Sequence, residues 1–379
     1  MEVRFLSSLG EIASTEWNRL AGRDYPFLRH EFLSLLETTG CCSSESGWKP
    51  CHASLYRGKQ LIALMPLYLK SHSYGEYVFD WSWADAWRRS GLDYYPKLVT
   101  AAPFTPATGP RLCLAAGERE EQIYPRLLTA VQQFAERNRV SSWHVLFPSL
   151  EEGEALRRAG TTLRTASQFH WFNQDYLSFD DFLARCNSRK RKSLKRERRR
   201  VHEQGVTLQV LEGNAIEARH WELFYRFYRD TYAKRSGHGG YLNRAFFLGL
   251  GKAIPEHCVL VLAWQEQRPI AGALYFRSSD TLYGRYWGCE RDLDCLHFEA
   301  CYYQGIDYCI RNKLRRFDPG AQGEHKIQRG FTPTKTCSNH WIADPRLRAA
   351  VEDFTKREQV QVERYLEVAA DYLPFKQTG

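Results

Sequence analysis

The sequence predicts an α/β fold of two tandem domains, each with a mixed central sheet. Three observations predict it. The chain has 379 residues, more than one ordinary core uses and about right for two. One order of elements, a hairpin followed by a helix and a short strand, occurs twice. Between the two occurrences lies a helix of nearly uniform positive charge. With 43% hydrophobic and 14% aromatic residues, the chain has material for two packed interiors.

The opening Met1-Glu2-Val3-Arg4-Phe5-Leu6 reads as a strand. It lacks the basic region, long apolar segment and small-residue cleavage site of a signal peptide. Apolar strands at 51–57 and 61–69 surround Arg57-Gly58-Lys59-Gln60, a hairpin signal. Ile123, Leu127, Leu128, Val131 and Phe134 recur at helical spacing and predict a helix over about 117–138. A strand from Trp143 to Phe147 follows. The domain boundary is expected near residue 170, giving 1–170 and 171–379. In the second half, strands at 258–264 and 270–277 flank Gln265-Glu266-Gln267-Arg268-Pro269. A third strand runs from about Thr281 to Trp287, a helix over about 295–312 carries Leu296, Ala300, Tyr303, Ile306 and Ile310, and a strand surrounds Phe317. The repeated order implies duplication at the level of pattern, not of residue identity.

The segment between the halves carries the electrostatic signal. Ser178 with Asp181 three residues on fits a helix start. Ser188 is expected to cap a second helix over 188–204 that ends at Gly205. From Arg189 to Arg200 there are nine Lys or Arg and one Glu, a local charge of +8 out of +9 for the whole chain. A solvated helix normally mixes signs, and clustered cations repel one another. The segment therefore points to an anionic partner, which RNA, a nucleotide cofactor or an anionic lipid surface would satisfy. The alternative is a plain solvated face. The helix has no interleaved aromatics to stack on single-stranded bases.

Composition excludes several classes. No stretch of about 18 apolar residues predicts a transmembrane helix. Eleven cysteines without a CxxC pair and without an export signal predict a reducing, cytoplasmic setting and mostly buried thiols. Neither HExxH nor a Cys/His ladder occurs, so no metal is expected.

Several strings resemble a known family. Ser188-Arg189-Lys190-Arg191-Lys192-Ser193-Leu194 through Gly205-Val206 is similar to the basic helix that opens the second domain of FemAB-type transferases. Phe298-Glu299-Ala300-Cys301-Tyr302-Tyr303-Gln304, Gly320-Ala321-Gln322-Gly323-Glu324-His325-Lys326 and Arg329-Gly330-Phe331 resemble signatures of the bacterial FemAB-like group of N-acyltransferases, linked to peptidoglycan biosynthesis or recognition. Gly75-Glu76-Tyr77-Val78-Phe79-Asp80-Trp81, Tyr95-Pro96-Lys97-Leu98, Pro103-Phe104-Thr105-Pro106, Thr108-Gly109-Pro110-Arg111 and Gln168-Phe169-His170-Trp171 are similar to it as well. The resemblance covers nearly the whole chain and implies a tandem duplicated GNAT-like (acyl-CoA N-acyltransferase) fold. The chain departs from the acetyl-CoA enzymes at one point. Their glycine-rich pyrophosphate loop is replaced by Gly288-Cys289-Glu290-Arg291-Asp292-Leu293-Asp294-Cys295-Leu296-His297, with one glycine and three acids. That favours an aminoacyl-tRNA donor, which related Fem transferases use.

Acyl transfer to an amine needs a base, donors for an oxyanion, and positioning of two substrates. The richest constellation is expected between Asp318 and His340. Asp318, Glu324, His325 and Glu299 are the candidate catalytic residues, with the choice of base left open among them. Tyr286, Arg285, Gln322, Lys326, Arg329 and His340 are candidate substrate contacts. Tyr283 and Arg285 are expected on one strand face and Tyr286 on the other. A polar surface loop, a structural role for Glu299 and core packing of the tyrosines are the competing readings. In the first half, Asp80 and Trp81 open an aromatic and acidic run of the kind seen at sugar or peptide acceptor sites, or in ordinary aromatic packing. Arg189, Lys190, Lys192, Arg196 and Arg199 are the candidate tRNA or phosphate contacts. Cys337 is a weak nucleophile candidate in the absence of a perturbed thiol.

Three functions follow. The first is aminoacyl transfer from aminoacyl-tRNA to an amine on a peptide, cell-wall precursor or small metabolite. The second is acyl transfer from acyl-CoA to a small amine. The third is non-catalytic peptidoglycan recognition. In the first two the donor is a co-substrate, and no tightly bound cofactor is expected.

Overall fold

The computed structural model describes residues 1–321 and 323–376. They fall into two compact units, Met1–Ser167 with Lys335–Tyr365, and Gln168–Thr334 with the chain from Leu366 onward. The expected single cut near 170 is therefore corrected: residues 335–365 return to the first unit. The chain passes between units inside regular elements, so no loop or linker signal marks the crossing.

The first unit contains β1 (Glu2–Leu6), α1 (Ser14–Ala21), α2 (His30–Thr38), β2 (Trp48–Pro50), β3 (His52–Arg57), β4 (Gln60–Met65), β5 (Tyr68–Lys70), α3 (Trp81–Arg89), β6 (Lys97–Thr100), β7 (Cys113–Leu114), α4 (Glu120–Arg137), β8 (Ser142–Leu146), α5 (Leu150–Arg158) and the start of β9 (Thr162–Phe172). One sheet has the order β1-β3-β4-β7. In the other, β6 pairs with β5 antiparallel and with β8 parallel. The expected strand 61–69 is two strands in two sheets. Pro66 sits at the break, where it removes a ladder donor. Ile123, Leu127 and Val131 of α4 are fully buried in one cluster with Ala53, Leu55, Ala63 and Trp143. Each such aliphatic side chain contributes roughly 1.5–3 kcal/mol by leaving water.

The second unit contains the end of β9, then α6 (Phe179–Arg185), α7 (Ser188–Glu203), β10 (Val206–Glu212), α8 (Ala218–Ser236), α9 (Arg244–Ala253), β11 (Cys258–Gln265), β12 (Arg268–Arg277), β13 (Thr281–Cys289), α10 (Leu296–Phe298), α11 (Gln304–Arg311), β14 (Arg316–Asp318) and the start of β15 (Thr332–Ile342). The C-terminal helix α12 (Pro345–Ala370) begins in the first unit and ends in this one. The strand order is β10-β11-β12-β13-β14-β9, antiparallel except for the parallel pair β13–β14. Each unit thus has a parallel pair joined through a helical crossover, β6–α4–β8 and β13–α10–α11–β14.

The expected helix 295–312 is interrupted by a π-helical turn, Glu299–Tyr303, between α10 and α11. Such turns add one residue to a helix and recur at functional sites. The cap of α7 lies one residue earlier than expected. Asn187, not Ser188, accepts the backbone N–H of Lys190 at 3.0 Å. Leu194 and Val201 are buried as their seven-residue spacing implies, and Val201 packs with Val206, Ala263, Ile270, Ala271 and Leu296. No helix of the described residues is long and apolar enough to cross a membrane.

Helix α8 crosses β13 at Gly288, where an added Cβ would land on the backbone of Phe227 and Tyr228. Backbone cannot swing aside as a side chain can. Gly288→Ala is therefore expected to destabilise the protein by about 1–3 kcal/mol in urea unfolding. Gly10→Ala, which meets only Ser8 Oγ at 3.4 Å, should stay within about 0.5 kcal/mol of wild type.

Candidate functional site

The site in the second unit begins where two parallel strands part. β13 and β14 are paired only at Thr281/Arg316, Leu282/Phe317 and Tyr283/Asp318. β14 then ends, while β13 continues along β12 to Cys289. Among the described residues, one edge of β13 is therefore left without a strand from Gly284 onward. The β12–β13 register slips beside this point, so that Arg285 is an extra residue between Gly284 and Tyr286. Bulges re-aim side chains, yet the Arg285 guanidinium still lies 5.3 Å from the centre of the Tyr283 ring, as expected for two residues of one face. Arg285 reaches to Asp318, with Nη2 2.8 Å from Oδ2 and Nη1 3.2 Å from Oδ1. Tyr286 packs edge-on against Tyr228 and Phe247.

A cavity of about 110 Å³ occupies the parting, lined by Tyr275, Arg285, Trp287, His297, Tyr302 and Pro319 among others. Asp318 is fully buried, and the Arg285 guanidinium offsets burial to hold its carboxyl well below the usual range. Its Oδ1 also accepts the N–H of Gly320 at 2.9 Å, and His170 Nε2 lies 3.7 Å away. Burial pushes His170 down to about 4, so its ring is neutral. An acid so firmly ionised and paired is a poor proton acceptor.

Glu324 to Arg329 form a 3-10 turn between Gly323 and Gly330, both with positive φ. The turn sorts its side chains. Glu324 and His325 face solvent, whereas Lys326 and Arg329 are buried. Lys326 Nζ donates to Gly320 O at 2.9 Å, and burial, partly offset by Asp318, pulls its ammonium down to about 8. His325 Nε2 is 2.9 Å from the Tyr302 hydroxyl. Its pKa is lowered by desolvation and then by the Lys326 and Arg329 charges. Arg329 donates to His325 O at 2.7 Å, to Tyr303 Oη at 3.0 Å and to Glu197 at 2.9 Å, and lies 3.5 Å over the Phe298 ring.

Glu299 is buried in the π turn, both oxygens held by Arg198 at 3.1 Å and one also by Gln304 at 2.8 Å. Burial raises its pKa against the pull of Arg198. Arg198 also bonds Asp307 at 2.8 Å and lies 4.3 Å over Phe179, so the pair fastens α7 to the crossover helix.

The outer face of α7 forms an open groove of about 820 Å³, lined by Arg189, Lys190, Lys192, Arg196, Arg199 and Gln328 among others. Lys190 donates to Gln328 at 2.9 Å, and Arg199 meets Glu203 at 3.3 Å. Among the described residues, Arg189, Lys192 and Arg196 are exposed and have no ion-pair partner. The acids ahead of α10 are largely engaged: Glu290 by Arg268 and Arg226, Asp294 by Arg200.

His340 does not join this cluster. It stands in the first unit directly across the ladder from His144, the two Nδ1 atoms 2.6 Å apart. Nearness in sequence to residues 318–329 suggested otherwise, but β15 carries the chain out of the second unit between them. Asp80 and Trp81 also belong to the first unit. Trp81 is 45% exposed, and Asp80 is buried with Lys97, Glu76 and Tyr94. Lys97 stands opposite Lys70 in the β5–β6 ladder, a like-charge pair that the two carboxylates make tolerable. Burial pushes Glu76 up and Lys70 down, each to about 7. Sequence reading gave Glu76, Lys97 and Lys70 no role, because 27 positions separate Lys70 from Lys97 and only the ladder unites them. Gln322 lies outside the described residues.

The parting of β6 and β8 in the first unit is filled. Buried Arg111 donates to Leu146 O at the end of β8, and to Ala107, Gly109 and Pro110 carbonyls. The N–H of Gly109 bonds Phe147 O at 3.2 Å. Among the described residues, neither unit holds a metal-ligating cluster.

Asp318→Asn would leave a buried guanidinium without its counter-charge, which typically costs about 3–5 kcal/mol. Because the folded carboxyl is depressed, its contribution is present above the unfolded pKa of about 3.9 and is lost as pH falls through the folded value. Urea unfolding should show the full deficit of the variant at pH 7 and a shrinking one below about pH 4.

A model of the FemAB-like family, described as peptidoglycan biosynthesis/recognition, matches residues 8–377. No curated protein matches the chain. Among solved structures it is similar to FemX, at 10% identity over 93% of this chain and 100% of that one, with a TM-score of 0.53. It is also similar to L-PGS from Bacillus licheniformis, at 11% identity over 88% and 98%, TM-score 0.50. A conserved protein of unknown function from Bacteroides thetaiotaomicron gives 10%, 90% and 100%, TM-score 0.51. At such identities the structures share the fold, and the family rests on the sequence match: the chain belongs to the FemAB-like family of peptidoglycan biosynthesis/recognition proteins.

Proposed function

We propose that the protein is an N-acyltransferase that moves an aminoacyl group from aminoacyl-tRNA to an amine on a peptide, cell-wall precursor or small metabolite. The observation that carries this reading is the groove on α7, where Arg189, Lys192 and Arg196 stand exposed without counter-charges. Such a stripe suits a backbone of regularly spaced phosphates. The segment ahead of α10, where an acetyl-CoA enzyme would seat pyrophosphate, carries one glycine and three acids in place of a glycine-rich anion cradle.

The chemistry is assigned to the parting of β13 and β14. The acceptor nitrogen attacks the acyl carbon, its proton passes to a base, and the ester oxygen of the donor leaves. His325 is the preferred base, since it is exposed and its lowered pKa keeps the ring neutral at pH 7. Glu324 is the neighbouring candidate. Asp318 and Glu299 are assigned to positioning, because Arg285 and Arg198 occupy them. The Lys326 and Arg285 charges favour an oxyanion near the cavity. Acyl-CoA as donor is the second reading, which the GNAT-like architecture allows and for which the cations of α7 offer a phosphate contact. In either case the donor is a co-substrate.

Replacing Arg189, Lys192, Arg196 or Arg199 by neutral residues should weaken donor binding. Each lost phosphate contact should lower the slope of log affinity against log salt by roughly 0.7–0.9. An unchanged slope would reduce the groove to a solvated face. Retention of acyl-CoA rather than RNA in native mass spectrometry of the isolated protein would favour the second reading.

Glu324→Gln and His325→Ala should each lower turnover with the fold intact, one of them by about 10²–10⁴-fold. Binding of cell-wall fragments with no turnover from any donor would instead make the protein a recognition module.

A further inference from the structure

Helix α7 has two working faces. The outer one lines the cationic groove. The inner one holds Glu197, the one acid between Arg189 and Arg200. Glu197 accepts from Arg329 at 2.9 Å and from the Tyr303 hydroxyl. Arg329 in turn grips the carbonyl of His325 and lies flat on Phe298. The adjacent residue, Gln328, lines the groove and accepts from Lys190. Residues 324–329 therefore hang from α7 by two tethers of different kind. Lys190–Gln328 is exposed and joins a cation to a neutral amide, so a phosphate can displace it. Glu197–Arg329 is a charge-assisted contact shielded from water, which does not exchange so readily.

We propose that Glu197 and Arg329 are positioning residues that couple occupancy of the α7 groove to the orientation of His325. This rests on the reading of the groove as the donor's phosphate site and of His325 as the base. A phosphate that draws Lys190 away from Gln328 frees the outer edge of the turn, while Arg329 keeps the inner edge fixed. The turn then pivots about the Arg329–His325 contact instead of detaching. Coupling of this kind is reciprocal: a group that fixes the turn also changes the affinity of the groove. The guanidinium is also one of the charges that act on the His325 ring, so its displacement leaves a spectroscopic trace.

The test follows the His325 ring proton by NMR during a pH titration, with and without a short RNA duplex as groove probe. In the wild type the duplex should shift the His325 resonance and its apparent pKa. In Glu197→Gln the duplex should bind within about twofold of wild-type affinity, yet the response of His325 should be lost. Turnover should fall at least tenfold with little change in the donor KM. Arg329→Lys keeps the charge but loses the three-way fork, and should reproduce the uncoupling if Glu197→Gln fails to fold. A duplex that binds without moving His325 in the wild type overturns the coupling and leaves the groove reading intact. So does an equal response in the folded variants. Absence of duplex binding overturns the groove reading and the coupling together. If His325→Ala retains full turnover while the NMR coupling is present, the base assignment fails and the mechanical link stands.

Discussion

The Arg285–Asp318 ion pair is the constraint around which the second unit is arranged. Two parallel strands that part leave backbone edges and a void that hydrophobic side chains would otherwise fill. Here a bulge turns one guanidinium across the gap, and it meets a carboxylate at the end of the shorter strand. Both charges are buried, so each is tolerable only because of the other. Asp318 fixes Gly320 through its N–H, Gly320 accepts from Lys326, and Lys326 anchors the turn that presents His325. A short strand, a bulge and a buried pair thus set the position of residues eight places further along the chain.

Much of this architecture was legible from periodicity. The hairpins, both crossover helices and the basic helix lie close to where apolar spacing put them, because each buries one continuous face. What periodicity missed were its own interruptions. The bulge at Arg285 and the π turn at Glu299 each insert one residue, and neither leaves a compositional mark. Pro66, by contrast, is a visible breaker whose consequence, a strand divided between two sheets, became plain only from the pairing.

The site was legible in kind more than in arrangement. Asp318 meets Arg285 and Lys326 reaches the neighbouring Gly320, whereas Arg329, in the same turn as Glu324 and His325, bonds Glu197 and Tyr303. His340 was drawn in by proximity along the chain, although β15 takes it to the other unit and against His144. Glu197 was passed over for the opposite reason: as one acid among nine cations it looked like an exception to the helix's charge. Its partners, Arg329 and Tyr303, lie more than 100 positions away.

The plug formed by Arg111 sets the two crossovers apart. Duplication gives two crossovers of the same design, yet the carbonyls at the end of β8 are already occupied by a side chain of the same unit. A ligand approaching that place would have to displace a fully buried guanidinium that satisfies four backbone oxygens at once. Among the described residues, the parting in the second unit is open and its counterpart in the first is filled by the unit's own side chain. The first unit keeps its own buried charges, Lys70 and Lys97 set against Glu76 and Asp80, which neutralise one another within it.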